Sequence, residues 1–267
     1  MSGDNERLAR LAERAACAAA AYLARVPRPA PDDWALKGPS DFVTTVDRTA
    51  EAMIRDDLRR AEPDSRVLGE ELAPAQGDGA GLVWIVDPLD GTTNFLHGYP
   101  AWSVSIGAAI DGELVAGTVL HVATRACCLG WRDGGAWLGG DRLHVSGIRD
   151  PRLALLGTGF PFKTPGDMPR FLTILPQALL GSSGVRRAGS AALDLADVAR
   201  GRLDAFWELT LAPWDVAAGL LLIREAGGVA TDLDGAAARP ARGGVVAGNP
   251  WIHEWLLRMV QASGGTT

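Results

Sequence analysis

Two aspartates three residues apart are the clearest candidates for chemistry in this sequence. Asp87 and Asp90 follow the apolar run at residues 82–86, within the segment WIVDPLDGTTNF at residues 84–95. The run predicts a buried strand, and rigid scaffolds display functional side chains at the ends of such strands. Pro88 fixes its own φ and restricts Asp87, which makes the connection between the two carboxylates stiff. The segment therefore predicts a rigid acidic turn at a strand end.

Other interpretations of this turn fit less well. Taken alone, the Asp-Gly pair at residues 90–91 is more often a tight turn than a site. A calcium EF-hand loop needs ligands at alternate positions, and Pro88 and Leu89 break that pattern. Phosphatases of the haloacid dehalogenase type need a nucleophilic aspartate two residues before Asp90, where this chain has Pro88. The spacing excludes both of these classes.

Further carboxylates lie at the predicted ends of other elements. Glu70 and Glu71 follow Gly69 at the end of a predicted strand, and by themselves they would fit a solvated loop. Asp215 begins a predicted helix, where an N-cap and a functional carboxylate are about equally good interpretations. A helix N-terminus favours a carboxylate because it carries partial positive charge, and that carboxylate can hold a cation.

The hypothesis is that four of these acids meet in one pocket: Glu70, Asp87, Asp90 and Asp215. Four carboxylates together repel one another, and some would stay protonated near neutral pH. A hard divalent cation removes this conflict, and carboxylates with a backbone carbonyl suit Mg²⁺. The net charge of −6 would repel a phosphate ester, but a bound cation reverses that field locally. The chemistry that follows is attack of a metal-activated water on phosphorus.

Hydrophobic periodicity predicts the elements of the first half. An Ala-rich helix is predicted at residues 5–25, and a second helix follows residue 41. Asp47 and Glu51 lie off the apolar stripe of that second helix. The stripe is expected to be core and consists of Val46, Ala50, Met53, Ile54 and Leu58. Closely spaced strands favour an antiparallel sheet, and they are predicted at residues 66–69, 82–86, 102–110, 114–122 and 126–131.

Strands and helices alternate in the second half. The strands are predicted at residues 153–158, 185–187, 203–208 and 243–247, and the helices at residues 167–180, 191–200, 215–225 and 250–261. This alternation indicates a layered α/β arrangement. We place a boundary near residue 147. It separates an N-terminal α+β half, residues 1–147, from a C-terminal α/β half, residues 148–267, which contributes Asp215 and substrate contacts.

Charge, apolar stretches and cysteine content indicate which classes of partner and which cellular compartment to expect. The pI is near 5.3 and no run of Lys or Arg is present, so nucleic acid is not expected as the main partner. The apolar stretch at residues 15–24 is too short to span a bilayer, so no membrane partner is expected. Cys17, Cys127 and Cys128 do not make a disulfide framework. They are expected to be small buried residues of a cytoplasmic protein.

The ordered motifs resemble those of the inositol monophosphatase family, whose members are Mg²⁺-dependent, lithium-sensitive phosphatases. The resemblance is clearest between residues 37 and 228. It is carried by KGPSDFVTTVD at 37–47, GEE at 69–71, WIVDPLDGTTNF at 84–95, TGFP at 158–161, RAGSAA at 187–192, WD at 214–215 and EAGG at 225–228. It implies the family's sugar-phosphatase fold, a layered αβαβα sandwich of α+β type. Its first half holds an antiparallel sheet and its second half is α/β.

The resemblance also implies a set of metal ligands and catalytic residues. Glu70, Asp87 and the Leu89 carbonyl resemble the ligands of a first metal. Asp87, Asp90 and Asp215 resemble those of a second, and Glu70 also contacts a third, weaker ion. Two or three Mg²⁺ ions are therefore implied. Thr92 and Asp47 resemble the pair that orients the nucleophilic water, and Glu70 is grouped with them as catalytic.

The implied substrate contacts come from both halves of the chain. The backbone of Gly91 and Thr92 resembles the phosphate-binding segment of the family. Lys37 matches a family lysine near the metals, although an exposed surface lysine is an equally open interpretation. The positions expected to meet substrate hydroxyls are Gly189, Ser190, Ala191 and Glu208.

The chain departs from animal inositol phosphatases just before Trp214. Those enzymes place a His-Cys pair where this chain has Ala212 and Pro213. The resemblance still implies a phosphomonoesterase acting on a small polyol phosphate, first of all inositol 1-phosphate, and working as a homodimer. Histidinol-phosphate phosphatase and 3′-phosphoadenosine 5′-phosphate phosphatase share the metal core and stay open as alternatives. A regulatory subunit with the same fold is the non-enzymatic alternative.

Overall fold

The helices of the protein match the predicted ones closely. The computed structural model describes residues 2–38, 41–72 and 80–264. Each predicted helix is present with its ends moved by a few residues, and a short helix after Gly91 is added. The helices of the described residues are α1 (Ser2–Leu23), α2 (Thr45–Ala61), α3 (Thr92–His97), α4 (Met168–Gly181), α5 (Ala191–Ala199), α6 (Pro213–Glu225) and α7 (Pro250–Ala262).

The N-terminal part contains a small antiparallel hairpin and a larger sheet. The hairpin is β1 (Ala35–Gly38) and β2 (Asp41–Val43). The sheet has its strands in chain order: β3 (Arg66–Gly69), β4 (Leu82–Asp90), β5 (Ser103–Ile110), β6 (Glu113–His121), β7 (Ala126–Trp131), β8 (Gly135–Leu138) and β9 (Asp141–Arg142). Its pairs are antiparallel, as predicted, except for β3 and β4, which are parallel.

The second sheet is mixed, which agrees with the predicted alternation. Its strands are β10 (Leu155–Thr158), β11 (Gly184–Arg186), β12 (Ala205–Leu211), β13 (Val229–Thr231) and β14 (Gly243–Gly248), in the spatial order β11-β10-β12-β14-β13. β10 is parallel to β11 and β12, whereas β14 is antiparallel to β12 and β13. β12 runs on to Leu211, beyond the predicted end at residue 208, and this places Glu208 within the strand.

Three apolar cores alternate with the two sheets. Along β4, Trp84 and Val86 face a core shared with α1 and α2, while Val83 and Ile85 face α5 and α6. The second sheet covers the opposite side of α5 and α6, and its outer face packs on α4 and α7. Strands buried on both faces read as continuous apolar runs, which is why residues 82–86 were recognisable. The order of layers is helix, sheet, helix, sheet, helix, so the predicted αβαβα sandwich is confirmed.

The boundary near residue 147 lies between β9 and β10. The helices α5 and α6 pack against both sheets in one continuous core. The division into residues 1–147 and 148–267 therefore stays a prediction. Among the described residues, no helix combines the length and apolar character needed to cross a bilayer.

Some predictions for single side chains are wrong. Met53 is 38% exposed, because it lies at the edge of the α2 stripe and beside the buried Ile54. Cys17 is exposed rather than buried. Asp47 and Glu51 lie off the apolar stripe as expected, yet both are buried. Their carboxylates accept hydrogen bonds from backbone N–H groups, which offsets the cost of removing them from water.

Candidate active site

The end of β4 carries two of the predicted acids. β4 pairs Asp87 with Ser105 and Asp90 with Ser103, so β4 has one more residue than β5 over this stretch and forms a bulge. Bulges redirect side chains near sites, and here both aspartates are buried and line one cavity. The Asp87 carboxylate accepts the N–H of Leu89 at 3.0 Å. The acidic turn is thus fixed by its own backbone.

Asp215 joins these two aspartates from the second half of the chain. One carboxylate oxygen from each of Asp87, Asp90 and Asp215 lies within 4.8 Å of the other two. Asp215 is in the first turn of α6, and its carboxylate accepts the N–H of Ala212 at 2.6 Å. Ala212, not Asp215, is the N-cap of that helix. The structure therefore brings together three of the four acids that were expected to converge, as one compact trio.

Contacts with α5 hold Asp90 in place. Its carboxylate accepts the hydroxyl of Ser190 at 2.5 Å and the N–H of Ala192 at 2.8 Å. The Ser190 oxygen also lies 3.2 Å from that of Ser103 on β5. Ser190, predicted as a substrate contact, is thus 1% exposed and bound to a predicted metal ligand.

The three buried carboxylates of the trio disfavour negative charge on one another, and this favours binding of a cation. Burial raises the pKa of Asp87 well above its ordinary value, and the surrounding carboxylates raise it further. Burial also raises the pKa of Asp90 to about 6 and that of Asp215 to about 7. Carboxylates this close together repel one another when all are charged. A hard divalent cation, which prefers oxygen ligands, removes that repulsion. The residues present are therefore suited to hold a metal ion.

Glu70 faces the same cavity but is not part of the compact trio. Lys37 Nζ donates to Glu70 at 2.7 Å and to Glu71 at 2.6 Å, and Lys163 Nζ lies 4.0 Å from Glu70. Burial lowers the pKa of Lys37, but the charges of Glu70 and Glu71 and their hydrogen bonds to Lys37 together outweigh that effect and raise the pKa overall. Lys37 is not among the described residues that line the cavity. It reaches the site through these two glutamates.

Asp47 and Thr92 are in direct contact, although 45 residues separate them. Thr92 Oγ1 lies 3.0 Å from Asp47 Oδ1 and 3.1 Å from the Leu89 carbonyl oxygen. The other oxygen of Asp47 accepts the N–H and the hydroxyl of Thr44, which closes a capping box at the start of α2. Asp47 therefore both caps the start of α2 and accepts the Thr92 hydroxyl, so the N-terminal cap of α2 fixes this pair.

Gly91 connects the acidic turn to α3. Its φ of 91° is in the left-handed region that favours glycine, and it is the N-cap of α3. A Cβ at this position would lie 2.8 Å from the Ala101 carbonyl oxygen. Thr92 is the first residue of this helix. This geometry brings the Gly91–Thr92 backbone close to the carboxylates.

A cavity of about 360 Å³ opens beside the trio. It is lined by the predicted metal ligands Glu70, Asp87, Leu89, Asp90 and Asp215, and by the predicted substrate contacts Gly91, Thr92, Gly189, Ser190, Ala191 and Glu208. Burial raises the pKa of Glu208 well above its ordinary value, and the charge of Asp215 adds to the effect. The Glu208 carboxylate packs against Gly159, where a Cβ would lie 2.0 Å from Oε2.

Several residues at the cavity were not named as site residues from the sequence. Asn94 donates to the carbonyl oxygens of Ala101 and Ala188, so it ties α3 to the segment before α5. Asp194, which is 4% exposed, and Lys163, whose side chain is largely exposed, also line the cavity. The Arg187 guanidinium lies 5.3 Å from the ring centroids of Phe160 and of Phe162. The segments at 158–161 and 187–192, which resemble family motifs, are the sequence feature from which these residues could have been predicted as part of the site.

The comparisons with known proteins agree with this geometry. A model described as the inositol monophosphatase family matches residues 4–264. The chain belongs to the inositol monophosphatase family. An inositol-1-monophosphatase of Rhizobium meliloti is 46% identical over 226 residues, which cover 85% of each chain. A protein of Pseudomonas aeruginosa named Nus factor SuhB is 44% identical over 229 residues, or 84% of each chain.

Solved structures of the family share the same architecture. The extragenic suppressor protein suhB from Bartonella henselae superimposes with a TM-score of 0.87 and 38% identity, covering 94% of this chain and 97% of that one. As a member of this family the protein is a phosphatase, a hydrolase of phosphoric monoesters. Among the described residues, the acidic trio is a group able to hold a metal ion, and members of the family use metal ions.

Proposed function

We propose that the protein is a Mg²⁺-dependent phosphatase of small polyol phosphates, with inositol 1-phosphate as its first substrate. The observation that carries this proposal is the convergence of Asp87, Asp90 and Asp215 beside a cavity of about 360 Å³. Glu70 and the Leu89 carbonyl complete the proposed ligand set for two or three ions. When bound, Mg²⁺ supplies Lewis acidity and offsets the negative charge of the carboxylates and the phosphate.

Thr92 and Asp47 prepare the nucleophile in this proposal. The Thr92 hydroxyl has one proton, and it donates this proton to Asp47, which lies 3.0 Å away. The hydroxyl oxygen is then an acceptor for the attacking water and fixes its orientation. As the water attacks phosphorus, its proton passes to Thr92 while that of Thr92 passes to Asp47. The bond from phosphorus to the ester oxygen breaks, and the departing alkoxide takes a proton from solvent water. Burial raises the pKa of Asp47, which makes its carboxylate a better proton acceptor.

The remaining residues hold the two ends of the substrate. The backbone N–H groups of Gly91 and Thr92 bind phosphate oxygens. Glu208 accepts hydrogen bonds from hydroxyls of the leaving alcohol, and the backbone around Gly189 and Ala191 completes that pocket. Lys37 acts through Glu70 and Glu71 rather than by touching the substrate. A named inositol-1-monophosphatase at 46% identity supports an inositol phosphate as the first choice.

A panel of phosphate esters at one fixed Mg²⁺ concentration tests the substrate. We expect the largest kcat/KM for inositol 1-phosphate, ahead of histidinol phosphate and 3′-phosphoadenosine 5′-phosphate. Asp87→Asn serves as the control for hydrolysis by a contaminant. Faster turnover of histidinol phosphate or of the nucleotide overturns the choice of leaving group. Hydrolysis that does not respond to chelation of divalent cations overturns the metal-dependent mechanism.

Three further properties are proposed from the family resemblance. They are inhibition by lithium, a homodimer and a cytoplasmic location. Light scattering tests the dimer, and a mass near 28.0 kDa, that of a single chain, contradicts it. Turnover that is unchanged at millimolar lithium contradicts the proposed inhibition.

A regulatory subunit with this fold is the second candidate function. The observation that favours it is the name of the Pseudomonas aeruginosa relative, Nus factor SuhB. The catalytic proposal is preferred because each acid in the proposed ligand set, and Thr92 as well, is present and lines the cavity. Absence of metal-dependent hydrolysis for every phosphomonoester tested, in folded protein, would favour the regulatory role.

A further inference from the structure

Glu51 is a buried carboxylate that the proposed mechanism does not use. It lies on α2, is 0% exposed, and is not among the described residues that line the cavity. Its Oε2 accepts the N–H of Glu71 at 2.6 Å, and its Oε1 accepts the N–H of Leu72 at 3.0 Å. One carboxylate therefore binds two consecutive amides directly after the proposed ligand Glu70. Hydrogen bonds to a charged group are among the stronger ones in proteins.

Gly69 provides the space that this contact needs. A Cβ at residue 69 would lie 2.0 Å from Glu51 Oε1 and 2.4 Å from its carboxyl carbon. The carboxylate is thus packed against the end of β3, in the place where any other residue would put its side chain. We use the term Glu51 clamp for the contacts of the Glu51 carboxylate with Gly69, Glu71 and Leu72.

The clamp acts on a segment that is held from its other side as well. The Glu70 N–H donates to the Val86 carbonyl oxygen at 3.3 Å, which continues the pairing of β3 with β4. Lys37 Nζ binds the carboxylates of Glu70 and Glu71. Together, these contacts determine where the Glu70 carboxylate lies relative to Asp87. The Glu51 contacts are the part of this arrangement that comes from α2.

We propose that Glu51 is a positioning residue that sets the affinity of the site for its divalent cation by fixing the backbone at Glu71 and Leu72. It touches neither substrate nor metal, and it acts by directing Glu70 toward the acidic trio. This inference rests on the proposed function, because it takes Glu70 as a metal ligand. Residues that orient metal ligands from behind typically change metal affinity roughly 10–100-fold when they are replaced.

Direct binding of Mn²⁺ to the purified protein, measured by electron paramagnetic resonance, tests the proposal without substrate. Glu51→Gln keeps the size of the side chain but leaves only one oxygen to accept the two amides. We expect its Mn²⁺ dissociation constant to rise by roughly 10-fold or more. We also expect its KM for the phosphate ester to stay within about twofold of wild type at saturating Mg²⁺.

Asp204→Asn is the matched control. Asp204 is a buried carboxylate of the second half that accepts the Leu155 N–H at 2.6 Å, and it does not line the cavity. We expect this variant to lower the melting temperature while binding Mn²⁺ like wild type. Glu51→Gln with a lowered melting temperature but unchanged Mn²⁺ affinity overturns the proposal. If wild type itself binds no Mn²⁺, it is the proposed function that fails.

Two measurements keep the proposal testable if Glu51→Gln does not fold. Gly69→Ala displaces the Glu51 carboxylate without changing its charge, and it should weaken Mn²⁺ binding in the same direction. In wild type, amide hydrogen exchange at Glu71 and Leu72 should slow when Mg²⁺ is added, because the clamp and the metal must stabilise each other reciprocally. Mg²⁺-independent exchange at these two amides contradicts the proposal, provided that the Leu89 and Ala192 amides respond.

Discussion

The two walls of the cavity are built in different ways. On the metal side, Asp87, Asp215 and Asp47 each accept a backbone N–H close in sequence, at 3.0, 2.6 and 2.9 Å respectively. On the other side, Arg187 lies over Phe160 and Phe162, while Glu208 packs against Gly159. These three carboxylates of the first wall are fixed by local backbone geometry, whereas Asp90 is held by Ser190 and Ala192. The second is assembled from side chains of separate loops and strands.

In the proposed mechanism, this difference separates catalysis from specificity. The metal side presents carboxylates whose positions do not depend on the alcohol being released. The other side combines carboxylates, a guanidinium and aromatic rings, and it includes the segment at 209–213, where the sequence departs from animal inositol phosphatases. Thr210 in that segment donates to Asp167 at 2.8 Å, which ties β12 to the loop before α4. Substitutions on the two sides should therefore change different kinetic constants.

Loss of a metal-side carboxylate should have the largest effect. Asp87→Asn and Asp90→Asn should each lower kcat by roughly 100-fold or more, the scale seen when one electrostatic group is removed from an active site. Glu71→Gln should do much less, because burial raises the pKa of Glu71 to about 7 and it is outside the trio. Steady-state kinetics at saturating Mg²⁺ measure this. Equal losses in all three variants would indicate damage to folding instead.

Glu208→Gln should weaken binding of the leaving alcohol and should leave the chemical step unchanged. We expect KM for inositol 1-phosphate to rise about 10-fold, the scale of one hydrogen bond to a charged group. Turnover of p-nitrophenyl phosphate, which has no hydroxyls on its leaving group, should stay close to wild type. A parallel loss on both substrates would contradict the division between the two walls.

Substitutions in the core behind the metal side should lower stability more than they lower activity. Ile54→Ala should lower the free energy of unfolding by about 2–5 kcal/mol, since Ile54 is 1% exposed. Met53→Ala is the matched neighbour and should lose about 1 kcal/mol or less, because Met53 is 38% exposed. Urea unfolding of both variants measures the difference. Similar losses of unfolding free energy would indicate that Met53 contributes to the core, as the sequence pattern had predicted.

The smallest expected effect lies far from both walls. Burial lowers the pKa of His253, whose ring bonds with Thr231 at 3.0 Å between α7 and β13. The unfolded chain therefore binds a proton near pH 6.5 that the native chain does not, so this contribution to stability is lost as the pH falls below about 6.5. His253→Gln should make the unfolding free energy less dependent on pH between about 5.5 and 7.5. An unchanged slope contradicts this account of His253.

The sequence predicted most of the layered fold because its periodicities are strong. Continuous apolar runs such as residues 82–86 mark strands buried on both faces, and turn residues separate the strands of the first sheet. The short strands β8, β9 and β13 and the hairpin β1–β2 were missed, since their stability comes from tertiary pairing rather than local pattern. The burial of Glu51 was missed for the same reason, because only folding brings the Glu71 and Leu72 amides to it. The burial of Asp47 was missed although its capping partner Thr44 lies only three residues before it.

The metal side of the site was also more predictable than the other. Asp87, Asp90 and Thr92 belong to one contiguous segment, whose rigid turn and family resemblance both point to a site. The contribution of Asp194, Lys163 and Arg187 to the opposite wall depends on how three separate segments meet. The spacing of residues along the sequence does not show how these segments come together. The sequence therefore predicts the type of reaction better than it predicts the leaving group.

A crystal of the wild-type enzyme soaked in Mn²⁺, with anomalous diffraction recorded at the manganese edge, tests the central claim most directly. Manganese prefers the same oxygen donors as magnesium, and its anomalous signal identifies it. The account predicts at least one peak among Asp87, Asp90 and Asp215, about 2.1 Å from their carboxylate oxygens. Strong peaks elsewhere, with none inside this trio in crystals that still hydrolyse the substrate, would contradict it.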